Sequence, residues 1–248
     1  MNELKDDMEN LAAQLKAELL AFGADIVGFG DITELPPKAR AGLPTGVSVA
    51  VNMPAEIARG IAELPTSEYF DFYNRANEAL DGIVTRGAEF LKSKGYVAIA
   101  QTRDSVGSGG TENRTALPHK TVATRAGIGW IGKCALLVTK ERGSMLRLSS
   151  ILTDAPLTPA QSVDSSRCGS CNACAVACPG HAVLGELWAK GKPREEFFDA
   201  AACRVAARKR AILGFGVNTT ICGKCIEACP YTRKAIEKEL GEPTAKYR

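Results

Sequence analysis

An α/β domain followed by a smaller helical domain is the fold that this 248-residue sequence predicts. Two observations predict it. Helix-like and strand-like periodicities alternate up to about residue 153, and beyond that point the strand pattern stops. Eight of the nine cysteines then follow, seven of them in two runs that both end in Cys-Pro and Cys203 between the runs. A chain of this length can bury a substantial core, as one large or two small domains.

The elements follow in order. Leu4, Met8, Leu11, Leu15 and Leu19 recur every three or four residues, which marks an amphipathic first helix ending at Gly23. Residues 25–30 and 46–51 read as short buried strands. A long second helix is expected from Ser67, as N-cap, to Lys94 before Gly95, and residues 96–101 read as a third strand. Residues 103–117 are polar and rich in glycine, a segment long enough to be functional rather than a simple connection. A short helix is expected over His119 to Arg125. Residues 134–139 and 145–152 read as a hairpin turning at Lys140 to Ser144. Pro156 and Pro159 end the strand pattern, which places the domain boundary so that residues 1–158 form the α/β domain and 159–248 the cysteine-bearing one. The last fifteen residues read as a charged helix and a loose tail.

The cysteine runs are Cys168-x2-Cys171-x2-Cys174-x3-Cys178-Pro179 and Cys222-x2-Cys225-x3-Cys229-Pro230. In the C-x2-C-x2-C-x3-C-P pattern three thiolates hold one 4Fe-4S cube and the fourth reaches a second cube. One such run therefore implies two clusters, which need eight thiolates. The second run is one short, and Cys203 supplies the eighth. The crossover rule then groups Cys168, Cys171, Cys174 and Cys229 around one cluster and Cys178, Cys203, Cys222 and Cys225 around the other. Zinc is the competing reading of C-x2-C pairs, but it leaves the third cysteine and the two prolines without a reason. Disulfides would require an oxidising compartment. Cys134, the ninth, reads as a small buried apolar residue.

The N-terminal residues 1–9 are acidic and polar, and no apolar run reaches membrane-spanning length, so a cytoplasmic protein is expected. The formal charge is +3. Two clusters with their thiolates subtract about four charges, leaving the holoprotein near neutral. Residues 189–248 carry thirteen Lys or Arg against seven Asp or Glu. That excess, including Arg204, Arg208, Lys209 and Arg210, either offsets the anionic clusters or forms a patch for RNA phosphates or an acidic redox partner.

Gly127-x-Gly129-x-x-Gly132 matches the dinucleotide fingerprint in letters only. That loop must follow a strand and open a helix, whereas here a helical segment precedes it and a β-rich run follows. The glycines allow either a close backbone approach to a planar ligand, with Trp130 and Lys133 at its edge, or a tight helix-to-strand turn under Trp130.

The stretch from Arg125 to Lys133, residues 135–139, Gly143-Ser144, Leu152-Thr-Asp154 and the order of the eight cysteines together resemble the epoxyqueuosine reductase family, over roughly residues 10–235. The resemblance extends to the reductive dehalogenases. It implies two 4Fe-4S clusters in a ferredoxin-like domain, feeding electrons to a cobalamin held by an α/β domain of nitroreductase-like topology. It also implies that Lys120, Gly127, Gly129 and Lys133 line the corrin. With His119 and Trp130 added, these form the candidate cofactor-binding set. The family's acidic proton donor falls about a dozen residues before the Arg-Ala-Gly motif. Here that position is Asn113, beside Glu112, which becomes the candidate catalytic acid, with Asp104 and His119 as the other acids of the segment. The chain is short of the C-terminal helical repeats with which longer members grip tRNA, which weakens the expectation of tRNA as a partner. The function implied is a reductase drawing electrons from an external flavodoxin or ferredoxin. The alternative is an electron-transfer or corrinoid-reducing module with no substrate chemistry of its own.

Overall fold

The computed structural model describes residues 2–106 and 114–241, so Glu112 lies outside the described residues. In chain order the helices are α1 (Asn2–Ala21), α2 (Ala55–Gly60), α3 (Ser67–Ser93), α4 (Arg103–Val106), α5 (His119–Arg125), α6 (Ala173–Val176), α7 (Ala200–Phe215), α8 (Lys224–Glu227) and α9 (Pro230–Leu240). The strands are β1 (Ile26–Asp31), β2 (Thr45–Asn52), β3 (Ala98–Ala100), β4 (Trp130–Ile131), β5 (Leu137–Val138) and β6 (Leu146–Thr153). Two compact units result. The first comprises Met1–Val51, Arg75–Ile128 and Arg147–Val163, and the second Asn52–Asn74, Gly129–Leu146 and Asp164–Arg248.

The first unit is built on a four-stranded sheet of order β1-β2-β6-β3, in which β1 pairs antiparallel with β2 and β3 antiparallel with β6. Side chains alternate between its faces, as the pleat requires. Val27, Val47, Val49 and Ile151 pack with Leu15 and Leu19 of α1 and with Leu80, Ile83, Val84 and Leu91 of α3. Both helices stop in the same way. Gly23 (φ +102°) and Gly95 (φ +89°) adopt the left-handed conformation, and the N–H groups of Ala24 and Tyr96 reach back to the carbonyls of Leu19 and Leu91. These are Schellman closures, in which glycine carries no Cβ penalty.

The opposite face of the sheet is nearly bare around β1 and β2, because Gly28, Gly30 and Gly46 stand there, with Gly30 and Gly46 paired across the strands. Helix α5 packs against β1. A Cβ on Gly30 would come within 2.5 Å of the Arg125 carbonyl carbon, and one on Gly46 within 2.7 Å of Val122 Cγ1. The glycines therefore let a helix approach the sheet backbone closely. Buried Arg125 at the end of α5 is fixed by Glu34, 2.5 Å from its Nη1, and donates from Nη2 to the Val163 carbonyl at 2.8 Å.

The second unit contains α2, the first turns of α3, the β4–β5 pair and the cysteine-bearing segment with helices α6 to α9. α2 packs against α8 and α9, and α6 against α8. Ile131, Ala135, Trp188 and Phe197 form a small apolar cluster, with Phe198 packed against it. Gly143 (φ +57°) presses on Thr232, whose hydroxyl accepts from the Ser144 N–H at 3.1 Å. Arg142 pairs with Glu239 and donates to the Met53 carbonyl at 2.9 Å.

Two expectations are corrected. The hairpin of residues 134–139 with 145–152 does not form. Residues 137–138 pair instead with 130–131 across a tight turn in which Gly132 donates to the Leu136 carbonyl and Ala135 takes φ +59°. The β-rich residues 146–153 are then free to enter the main sheet, where β6 lies between β2 and β3. Thr66, rather than Ser67, caps α3, its hydroxyl accepting from the Tyr69 N–H at 3.2 Å. No helix among the described residues is long and apolar enough to cross a membrane.

Two glycine substitutions should have opposite effects in unfolding followed by circular dichroism. Gly30→Ala is expected to destabilise the protein by about 2–3 kcal/mol, because α5 cannot retreat from an added methyl without losing its packing. Gly82→Ala, in α3 with open space around its Cα, is expected to stabilise it by about 0.5–1 kcal/mol.

Candidate metal centre

Each cysteine run folds into the same local device. In the first, Cys168 and Cys171 lie in the loop before α6, Cys174 lies within the helix and Cys178 just after it. In the second, Cys222 precedes α8, Cys225 lies within it and Cys229 follows as the N-cap of α9. Pro230 occupies the first turn of α9, where its missing N–H costs nothing and its fixed φ suits the helix start. Cys203 arrives from elsewhere, on the first turn of α7. Asp199 caps that helix by accepting from the N–H groups of Ala201 and Ala202, both at 2.9 Å.

Within the second unit these elements bring the thiols together in two places. Cys168, Cys171, Cys174 and Cys229 line one cavity of about 260 Å³, completed by Lys133, Cys134, Val138, Pro230 and Tyr231. At the other, Cys203 faces Cys178 and Cys222. Among the described residues no three His, Cys, Asp or Glu side chains converge on a point that would hold a single metal ion. The thiols of the first set surround a volume instead.

Burial and mutual proximity set the acidity of these groups. The Cys203 thiol is pushed up to about 11, chiefly by burial and then by Cys222 and Cys178. Cys174 is raised by its hydrogen bond to Cys134 and by burial, and Cys229 by burial. Cys134 hydrogen bonds with both Cys174 and Cys225. The bond to Cys174 acts to lower its pKa, but Cys225 and complete burial outweigh this and raise it well above the usual value. Thiols crowded in this way resist ionising together, so a cationic iron core is what makes eight neighbouring thiolates tolerable.

The surroundings of the first cavity are polar in a specific way. The Trp130 indole, 2% exposed, donates from Nε1 to the Cys168 sulfur at 3.4 Å and meets the Tyr231 ring edge-on at 5.1 Å. Lys133, also buried, donates from Nζ to Asn172 Oδ1 at 2.8 Å, inside the first cysteine run. At the other thiol set the Ala182 N–H donates to the Cys178 sulfur at 3.3 Å. Donors of this kind stabilise the more negative, reduced state of a cluster.

The remaining candidates lie as follows. His119 and Lys120 are half-buried on the first turn of α5. The His119 Nδ1 is 2.9 Å from Ser150 Oγ, and burial, followed by the nearby Arg147, brings its pKa down to about 4 despite an opposing contribution from Asp81. Gly127 (φ +68°) lies against the Gln161 carbonyl, and Gly129 against the Val138 carbonyl. Asp104 is exposed on α4. Sequence reasoning missed Asn172 and Tyr231, and read Cys134 first as packing, with a redox or ligand role as the lesser reading. The signal available for each was adjacency to a cluster cysteine or to Lys133.

Residues 167–232 match the family described as the 4Fe-4S double cluster binding domain, and this segment holds two 4Fe-4S clusters. Over 208 residues, 73% of this chain and 56% of the relative, the sequence is 26% identical to an epoxyqueuosine reductase of Vibrio cholerae. An epoxyqueuosine reductase crystallised with a tRNA-Tyr epoxyqueuosine-modified stem loop shares the fold at a TM-score of 0.60 and 21% identity, covering 91% of this chain and 66% of that one. A reductive dehalogenase whose structure was interpreted in terms of B12-dependent dehalogenation does so at 0.67 and 18%, covering 90% and 33%. The chain spans 30% and 56% of the first two curated relatives it matches.

Two measurements follow. His119 should remain neutral throughout pH 5.5–8 in NMR titration. Because its folded pKa lies below the ordinary value, the stability held at neutral pH should fall as pH drops from about 6.5 towards 4, by on the order of 3 kcal/mol. Trp130→Phe should lower the midpoint potential of one cluster by some tens of millivolts, by removing its N–H···S bond while leaving the iron content unchanged.

Proposed function

We propose that this chain is an iron-sulfur reductase that passes electrons through two 4Fe-4S clusters to a bound cobalamin, with epoxyqueuosine in an RNA stem as the substrate. The observation that carries this reading is the partition of the cysteines. Cys168, Cys171, Cys174 and Cys229, from two runs more than forty residues apart in the sequence, line one cavity, while Cys203 from a third segment faces Cys178 and Cys222. We assign Cys168, Cys171, Cys174 and Cys229 to one cluster and Cys178, Cys203, Cys222 and Cys225 to the other. The fit rests on the donor chemistry, since eight thiols in two groups of four are what two cubes need. The functional division falls near residue 158, with the α/β part, of nitroreductase-like topology, ahead of a ferredoxin-like part. The antiparallel pairs of its four-stranded sheet and the helices packed on it support that topology.

On the cobalamin side, His119 and Lys120, half-buried on the first turn of α5, are the residues that would meet the ligand, whereas the open sides of Gly127 and Gly129 are filled by the Gln161 and Val138 carbonyls. Bound cobalamin supplies a strongly reducing cobalt centre, and the chain's own residues orient and shield it. Neutral His119 offers an uncharged ring nitrogen rather than a cation. Trp130 and Lys133 act on the cluster side, through Cys168 and Asn172. Glu112 is the acid that delivers a proton to the substrate. An enzyme with eight reduced thiolates acting on RNA works in the cytoplasm, fed by a flavodoxin or ferredoxin.

Anaerobically reconstituted protein should contain about eight irons per chain, and Cys203→Ala about half of that. With cobalamin and a chemical reductant it should convert an epoxyqueuosine-containing RNA stem, and Glu112→Gln should slow that conversion by about 10²–10⁴-fold at unchanged iron content. Clusters that cycle while the RNA stays unchanged would leave only an electron-transfer module. Absence of any spectral change on adding cobalamin would remove the corrin from the reading.

A further inference from the structure

Helix α7 does two things at once. Its first turn presents Cys203 to Cys178 and Cys222, and its inward side lies flush against the chain that follows Cys178, where a Cβ on Gly180 would come within 2.7 Å of the Ala206 Cβ. Only Ala207 and Ala211 of this helix are fully buried. The other side carries Val205, Arg208, Lys209, Ile212 and Leu213, spaced at i, i+3, i+4, i+7 and i+8 and so on a single face. All five are exposed, with Val205 at 71%, Ile212 at 50% and Leu213 at 64%. The helix holds four basic residues and no acidic one.

We infer that this face of α7 is the docking surface for an acidic electron-donor protein of the flavodoxin or ferredoxin type, delivering electrons to the cluster that Cys203 helps to hold. The inference deepens the proposed function and rests on its electron path. Three exposed aliphatic side chains interleaved with two cations form a mixed apolar and basic face, which offers an acidic partner both charge complementarity and apolar contact. An RNA surface would use the cations without the aliphatics, since bases stack on aromatic rings and guanidinium groups and gain little from Val, Ile or Leu. Val205 is two residues from Cys203, so a donor seated here reaches the cluster through a single turn of helix. In the transfer itself the donor loses one electron and the cluster gains one, and no bond forms or breaks.

The test is the rate at which a reduced flavodoxin of net negative charge reduces the holoprotein, followed by stopped-flow absorbance. Arg208→Glu with Lys209→Glu should slow it at least tenfold, and added salt should no longer slow it further, because it then screens a repulsion rather than an attraction. Ile212→Ser with Leu213→Ser should slow it while the salt dependence persists. Iron content and reduction by dithionite should be unchanged in both. Unaltered flavodoxin rates in both variants would overturn the inference, as would loss of binding to the stem-loop RNA with no loss of flavodoxin rate, which would give the face to RNA. Clusters that dithionite cannot reduce even in the unaltered protein would instead overturn the electron path itself, a failure distinct from one of docking.

Discussion

The crowding of cysteine thiols in two places, one of them around a cavity, is the constraint on which the chemistry of the second unit depends. Its helices α6 and α8 have four residues each, far too few to persist by their own hydrogen bonds. One apolar cluster of that unit is small, Ile131, Ala135, Trp188 and Phe197, and further apolar residues such as Met53, Ile61, Met145 and Ile226 are buried in it. The two 4Fe-4S clusters add a tie among the segments that carry the cysteines. Burial and crowding hold Cys203, Cys174 and Cys229 above the ordinary thiol range, so without iron these groups are protonated. Iron binding releases the protons and cross-links three distant stretches of chain, which couples cofactor loading to folding.

The first unit is built on apolar packing around a sheet. Its sheet is covered on one face by α1 and α3 and approached on the other by α5, which sits where Gly28, Gly30 and Gly46 have cleared side chains away. Nothing in that packing needs a metal. It supplies a fixed platform, with Arg125 locked at the end of α5 and His119 held neutral at its start. The first unit thus rests on apolar packing, and the second adds to its own packing the two clusters that carry charge.

What could be read from the sequence was whatever a local pattern encodes. The cysteine spacing, the glycines that close α1 and α3, and the span of α5 were all legible, because each depends on residues within one or two turns of one another. What depends on tertiary packing was not. The strand propensity of residues 134–139 and 145–152 is real, yet the turn at Gly132 and Ala135 gives residues 137–138 a different partner and sends 146–153 into the main sheet. Adjacent hydroxyls at Thr66 and Ser67 offered two caps, and only backbone geometry chooses between them. The glycines of β1 read as part of a buried strand, with no hint that a helix lies on them. The hydrogen bonds of Trp130 to Cys168 and of Lys133 to Asn172 are placements that no spacing rule predicts.

The dependence of the fold's second unit on paired clusters can be tested most directly by electron paramagnetic resonance of the fully reduced, anaerobically purified protein. Two one-electron-reduced 4Fe-4S clusters held by interleaved cysteine runs, with Cys134 hydrogen-bonded to a thiol of each set, should give two signals broadened by coupling between neighbouring spins. A single uncoupled signal, or an iron-free protein whose thiols hold zinc, would contradict it.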